Sequence, residues 1–173
     1  MEFTGRMWIV EKAKALLAPF TSSEPLSNDK SADGKSLVNK ASGQLSSSYT
    51  AFPDPISRDT NGFDIHVYYF PGIKEHEIYV KALYERIRRE FPELRIYRLW
   101  DRPVGPHPTA MFEVNIFTPS QFGAIIPFLV VNRGPLSVLV HPNTGDVVGD
   151  HMDKATWIGP PLPLDKDVLL AFQ

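Results

Sequence analysis

"AMFEVNIFTPSQFGAIIPFLVVNRGPLSVLVH", residues 110–141, decides the fold. Its first eight residues alternate: Phe112, Val114 and Ile116 fall on one parity, Met111, Glu113 and Asn115 on the other. Period-two alternation predicts a strand over 110–117, with the all-apolar parity turned to the core. The pattern changes at Thr118-Pro119, where a capping hydroxyl precedes a ring suited to the first helical turn. A helix is predicted over 118–134, ending in Asn-Arg-Gly, with Pro127 expected to kink or split it. "LSVLVH" (136–141) then reads as another strand, ending on a histidine at the mouth of the turn Pro-Asn-Thr-Gly-Asp.

The same unit recurs upstream. "FDIHVYYF" (63–70) is aromatic and β-branched, hence a strand. "KEHEIYVKALYERIRREF" (74–91) sets Ile78, Ala82, Ile87 and Phe91 near one face and charges on the other, an amphipathic helix stopped by Pro92. "LRIYRLW" (94–100) alternates, and "WDRPVGPHPT" (100–109) is a loop. The order β-α-β-β-α-β is the split βαβ pattern of an α+β, ferredoxin-like fold. It predicts an antiparallel sheet with both helices on one face and the third and fourth strands flanking the first. The other face needs a cover, either the Pro-rich C-terminal segment or a second copy in a homodimer.

The first 61 residues are expected to form a flexible N-terminal arm with a short helix at about 7–18, ahead of a folded domain over 62–173. Residues 21–61 are rich in Ser, Asn, Asp, Lys, Gly and Pro and lack apolar periodicity. Composition narrows the function. A net charge of −2 without a basic cluster speaks against nucleic acid or an anionic membrane surface as partner. The absence of cysteine excludes disulfides, zinc–thiolate and iron–sulfur sites and a cysteine nucleophile. No apolar run approaches the roughly 20 residues that span a bilayer. The N-terminus lacks the features of a signal peptide, so a cytoplasmic location is expected.

Strand parity groups the polar residues. His66, Glu113 and His141 fall on the open face of three neighbouring strands. Two histidines and a carboxylate with open positions suit non-heme Fe(II). The competing reading is that the strand histidines are satisfied structural residues and Glu113 a solvated edge position. His107 sits in "GPHP", where the prolines restrict the directions open to the imidazole. In the plain topology its loop lies beyond the end of the first strand and must fold back across the open face to join His141. His151, in "GDHMDKATWIG", follows a turn at Asn143-Thr144-Gly145. It either closes over the site as an acid–base group or is a surface residue, and local sequence favours the surface slightly.

Together, in this order and spacing, "FDIHVYYF", "WDRPVGPHPTAMFEV", "NRGPLSVLVHPNTGD" and "DHMDKATWIG" resemble the small DOPA 4,5-dioxygenase family. The resemblance covers about residues 63–160. It implies a ferredoxin-like fold, non-heme iron(II), and extradiol cleavage of a catechol by O2. In that family L-DOPA gives a seco-DOPA that cyclises to betalamic acid, or to muscaflavin after 2,3-cleavage. His66, His107 and His141 match the family's histidines. Lys154, in "DHMDKATW", stands where relatives often have histidine. On that reading His107 or His151 is the proton-handling group, with Tyr68 as its partner. Arg102 and Arg133 are candidates to hold a substrate carboxylate, and Arg133 could equally cap its helix. The alternatives are ring cleavage of a different catechol and a non-catalytic module that binds a small molecule.

Overall fold

The computed structural model describes residues 3–21, 23–39 and 43–172. The chain forms two compact units, Met1–Leu45 and Ser46–Gln173. The first contains helix α1 (Phe3–Leu17), a 3-10 turn at Ala18–Phe20, and a tight turn closed by the Lys30–Leu37 bridge. The Asp33 carboxylate organises that turn by accepting the backbone N–H groups of Lys35 and Ser36. Among the described residues no helix is long and apolar enough to cross a membrane.

The second unit runs β1 (Phe63–Tyr69), α2 (Lys74–Glu90), β2 (Arg95–Ile96), β3 (Ala110–Ile116), α3 (Pro119–Asn132), β4 (Ser137–Pro142), α4 (Val147–His151), β5 (Thr156–Ile158) and α5 (Lys166–Leu170). The sheet order is β2-β3-β1-β4-β5, every neighbouring pair antiparallel. The first four strands carry the split βαβ topology, and β5 extends it along the free edge of β4. β2 is shorter than its alternation predicts. Tyr97 and Trp100 still donate their N–H groups to Glu113 and Met111, so the edge continues irregularly towards the loop.

The core lies between the sheet and the two long helices. Ile65, Val67, Phe112, Val114, Ile116, Val138 and Val140 meet Val80, Leu83 and Ile87 of α2 and Ile125 and Leu129 of α3. The buried stripe of α2 is therefore 80-83-87. Ile78, expected on it, is 61% exposed, because two residues along a helix place it roughly 200° from Val80. Acidic Glu75 and Glu77 open α2 and Arg88 and Arg89 close it, each end complementing the helix dipole. In α3, Thr118 Oγ1 accepts from the Gln121 N–H while Gln121 Oε1 accepts from the Phe117 N–H, a reciprocal cap. Pro127 does not split α3: the helix is continuous across it, at the cost of the bond its missing N–H would give to Gly123.

Residues 46–61 belong to the folded unit, ahead of the Gly62 boundary that composition suggests. The reason is one aromatic anchor in a polar segment: Phe52 is buried, with its ring centroid 5.1 Å from that of Phe63 and 6.3 Å from that of Phe122. Ser57 N–H also bonds Asn143 O, at 2.7 Å. On the open face, Tyr68, Met111 and Leu139 are buried beneath Trp100 and Val104 from the loop and Trp157, Leu162 and Leu164 from the C-terminal segment. Asp165 N–H bonds Pro106 O, tying that segment to the loop. The chain thus covers its own open face around Tyr68, Met111 and Leu139, and the polar row lies beside that patch.

One glycine in α3 and one just beyond its end test this packing in opposite directions. Gly134 has φ +57°, and a Cβ there would fall 2.4 Å from the Tyr79 ring. Gly134→Ala should lower the stability from urea unfolding by about 1–3 kcal/mol. Gly123 has open space where its Cβ would stand. Gly123→Ala should raise stability by roughly 0.5–1 kcal/mol. A destabilised Gly123→Ala would contradict the described surface of α3.

Candidate metal centre

Register builds the site. His66 of β1 lies opposite Glu113 of β3 and Leu139 of β4, and Asp64 lies opposite Asn115 and His141. Residues directly opposite share a face, so Asp64, His66, Tyr68, Glu113, Asn115 and His141 all point away from the helices. The turn after β4 then carries the chain into α4, which ends on His151. One donor atom from each of His66, His141 and His151 lies within 4.8 Å of the other two. His66 Nε2 is 3.1 Å from His141 Nε2, and the His141 and His151 rings are 3.9 Å apart.

Two backbone carbonyls set the tautomers. His141 Nδ1 is 3.0 Å from its neighbour's oxygen, Pro142 O, and His151 Nδ1 is 2.9 Å from Val147 O. A carbonyl only accepts, so each Nδ1 carries the hydrogen and each Nε2 keeps its lone pair. His66 Nδ1 is buried with no hydrogen-bond partner. Imidazole nitrogens converging in this way form a donor set that fits a divalent transition metal. Burial, followed by the neighbouring imidazoles, holds His66 well below the usual histidine range. Burial and His151 bring His141 down to about 4, against the opposing pull of Pro142 O and Asp150. Metal binding therefore requires little proton release at neutral pH.

His151 is held by a charged clamp. Buried Asp150 accepts from Thr144 N at 2.7 Å, Thr144 Oγ1 at 2.5 Å and Lys154 Nζ at 3.0 Å, and Lys154 also reaches Asp146 at 2.9 Å. Asp146 in turn caps α4 through the Gly149 N–H. Lys154 is part of the scaffold under the site.

His107 also reaches the centre. Its loop folds back through Gly105, with φ +57°, and the Val104–His107 bridge. The His107 and His66 ring centroids are 4.1 Å apart, and His107 Nδ1 is 2.7 Å from Tyr68 Oη. Burial takes His107 down to about 3 and holds the Tyr68 phenol well above its usual range. The pair is thus a neutral imidazole and a neutral phenol, with Trp157 stacked on Tyr68.

The remaining candidates stand elsewhere. Glu113 shares the face but not the converging group; its carboxylate accepts from Asn115 Nδ2 at 2.6 Å, and burial and Asp64 raise its pKa. The third converging donor is His151, supplied by a short helix that strand parity cannot reveal. Arg133 donates through Nη1 to Gly134 O and Leu136 O, which ties the turn between α3 and β4, at the start of β4 rather than beside His141. Arg102 is exposed on the loop. A polar group not anticipated from the sequence is Asp64 with Asn61, Asn115 and Asn143 around it. Its signal was available, since Asp64 has the parity of His66.

Residues 63–168 match the model of the Dopa 4,5-dioxygenase family. An "Uncharacterized 21.2 kDa protein" of Botryotinia fuckeliana is 56% identical over 149 residues, 82% of this chain and 81% of that protein. A DOPA 4,5-dioxygenase of Amanita muscaria is 35% identical over 106 residues, 58% of this chain but 46% of that protein. Among solved structures, a "putative dioxygenase" of Nostoc punctiforme superimposes with a TM-score of 0.55 at 34% identity, covering 66% of this chain and 95% of that one.

The depressed imidazoles make the metal-free fold acid-sensitive. His107 and His141 bind their protons in the unfolded chain near pH 6.5 and in the fold only near pH 3 and pH 4, and burial lowers His66 in the same direction. Stability is then present above about pH 6.5 and falls as pH drops towards 4. Asp64 and Glu113, with raised pKa values, act in the opposite direction. Chelator-treated protein should unfold at lower urea at pH 5 than at pH 7.5. Adding Zn(II) at pH 7.5 should raise the midpoint in the wild type but not in His151→Ala. An equal or higher midpoint at pH 5 would mean that the imidazoles are not desolvated.

Proposed function

The chain belongs to the Dopa 4,5-dioxygenase family, and from that premise we propose that it is a non-heme iron(II) extradiol dioxygenase that opens a catechol ring, L-DOPA or a related catechol, with O2. The observation that carries this reading is the convergence of His66, His141 and His151 beside a buried phenol–imidazole pair. These three histidines would hold the metal. Imidazole nitrogens suit Fe(II), and three protein donors leave positions for substrate and oxygen. Iron supplies the route by which electrons pass from a bound catecholate to O2, a reaction otherwise slow for spin-paired substrates.

The chain's own groups handle position and protons. Pro142 O and Val147 O hold two of the imidazoles in the ligating tautomer. His107, with Tyr68 as its hydrogen-bond partner, is placed to pass the catechol proton during ring opening. Trp100, Trp157, Leu162 and Leu164 cover the sheet beside this pair and keep bulk water from it. The seco-DOPA product, and cyclisation to betalamic acid or muscaflavin, belong to this reading for L-DOPA. Another catechol would be opened by the same residues.

Oxygen uptake after anaerobic purification and Fe(II) loading is the direct test, with L-DOPA and a small catechol panel. Uptake with other catechols but not L-DOPA would replace the substrate and keep the chemistry. Absence of both iron binding and uptake would leave a non-catalytic binding module. His141→Ala should lose stoichiometric iron and all activity. His107→Phe should keep its iron while kcat falls by roughly 10²–10⁴. Retained iron in His141→Ala would exclude this metal site.

A further inference from the structure

Beside the three imidazoles lies a cleft of about 440 Å3, lined by Ser57, Thr60, Asn61, Asp64, Asn143 and His151 among others. His151 forms part of its wall, so one ligand of the centre borders the cleft. No lysine or arginine lines it among the described residues. Arg133 is committed to Gly134 O and Leu136 O in the turn between α3 and β4. A substrate carboxylate would find no cation there.

The cleft instead presents one prepared negative charge. Arg95 only donates; it gives Nε to Asn115 Oδ1 and Nη2 to Asn61 Oδ1. That settles the orientation of both amides, whose Nδ2 groups must then point at Asp64 Oδ1. Asn143 Nδ2 adds a bond to Asp64 Oδ2 at 3.1 Å. The three N–H donors and nearby Arg95 favour its ionised form, against the burial that raises its pKa. A carboxylate offers about four lone-pair sites, so one remains open, on Oδ2. The cleft's other acid, Asp150, is already engaged by Thr144 and Lys154.

Asp64 stands two residues before His66 on the same face of β1, roughly 7 Å along the strand. A catechol ring with a short side chain spans such a length. We propose that Asp64 is a specificity residue that binds the ammonium group of a catechol amine or catechol amino acid. This rests on the dioxygenase reading of the centre. Selection then acts on the amine and against side chains that end in a carboxylate alone. The tail contact is the same in ground and transition states, so it acts on KM.

Three catechols separate these features when turned over by the iron-loaded full chain: dopamine (amine only), L-DOPA (amine and carboxylate) and 3-(3,4-dihydroxyphenyl)propionate (carboxylate only). Dopamine and L-DOPA should each exceed the propionate in kcat/KM by about tenfold or more, mainly through KM, as expected for one charge contact. In Asp64→Asn the ratio should fall to near unity, and in Asp64→Glu the preference should persist. A ratio is insensitive to any general loss of active enzyme in the variants. A wild-type chain indifferent to the amine, or a preference that survives in Asp64→Asn, would overturn the proposal. If no catechol is turned over, the dioxygenase reading fails. Calorimetric binding of dopamine against the propionate to zinc-loaded wild type and Asp64→Asn then decides the role of Asp64 separately.

Discussion

Strand β1 is hydrogen-bonded along both edges, and the register of those two ladders is the constraint on which the site depends. It sets Val67 against Phe112 and Val138 in the core, and by the same alternation sets His66 and Asp64 on the other face beside Glu113, Asn115 and His141. A slip of one residue would place imidazoles under α2 and α3 and send Ile65 and Val67 to the open face. The cost of burying unpaired polar groups and exposing the apolar set forbids it. The packing of the helices therefore specifies the site from the opposite side of the sheet.

Burial gives these imidazoles their chemistry. On an exposed sheet, clustered histidines near pH 6.5 would be partly charged, would repel one another and would swing apart. Here the C-terminal segment and the 101–109 loop desolvate the face, and the mutual proximity of four histidines works in the same direction. Both effects favour the neutral form, which a metal also requires. The carbonyls of Pro142 and Val147 then choose the tautomer. Covering the sheet thus does two things at once: it buries Tyr68, Met111 and Leu139, and it prepares a ligand set.

The sheet face was legible in the sequence because parity is a local property that survives without knowledge of the fold. His66, Glu113 and His141 share that face, as their alternation says. What parity cannot supply is depth and reach. It could not show that α4, five residues long, would return His151 to the centre, because a helix that short has no periodic signature. Nor could it show that the "GPHP" loop would fold back, a conformation held by Val104 and by the tail's bond to Pro106. β5 is three residues long and α5 five, so both lay hidden in what reads as a Pro-rich tail. Phe52 shows the same limit at the other end, where one anchoring ring outweighs a polar composition.

Lys154 illustrates how a departure from a family pattern can be absorbed. Its ammonium bridges Asp146 and Asp150, and those two acids hold its pKa above the usual lysine value. Asp146 caps the start of α4 and Asp150 precedes His151 near its end, so the bridge spans the helix that delivers the third donor. A histidine in that place would be a shorter, titratable donor, charged only below neutrality. Lysine keeps its charge throughout the range in which the imidazoles are neutral, and its flexible stem reaches both acids. The ligand must remain uncharged to bind metal, and the residue that holds its helix must remain charged to bridge two carboxylates. With the bridge carried by Lys154, His151 is left to present its nitrogen to the centre.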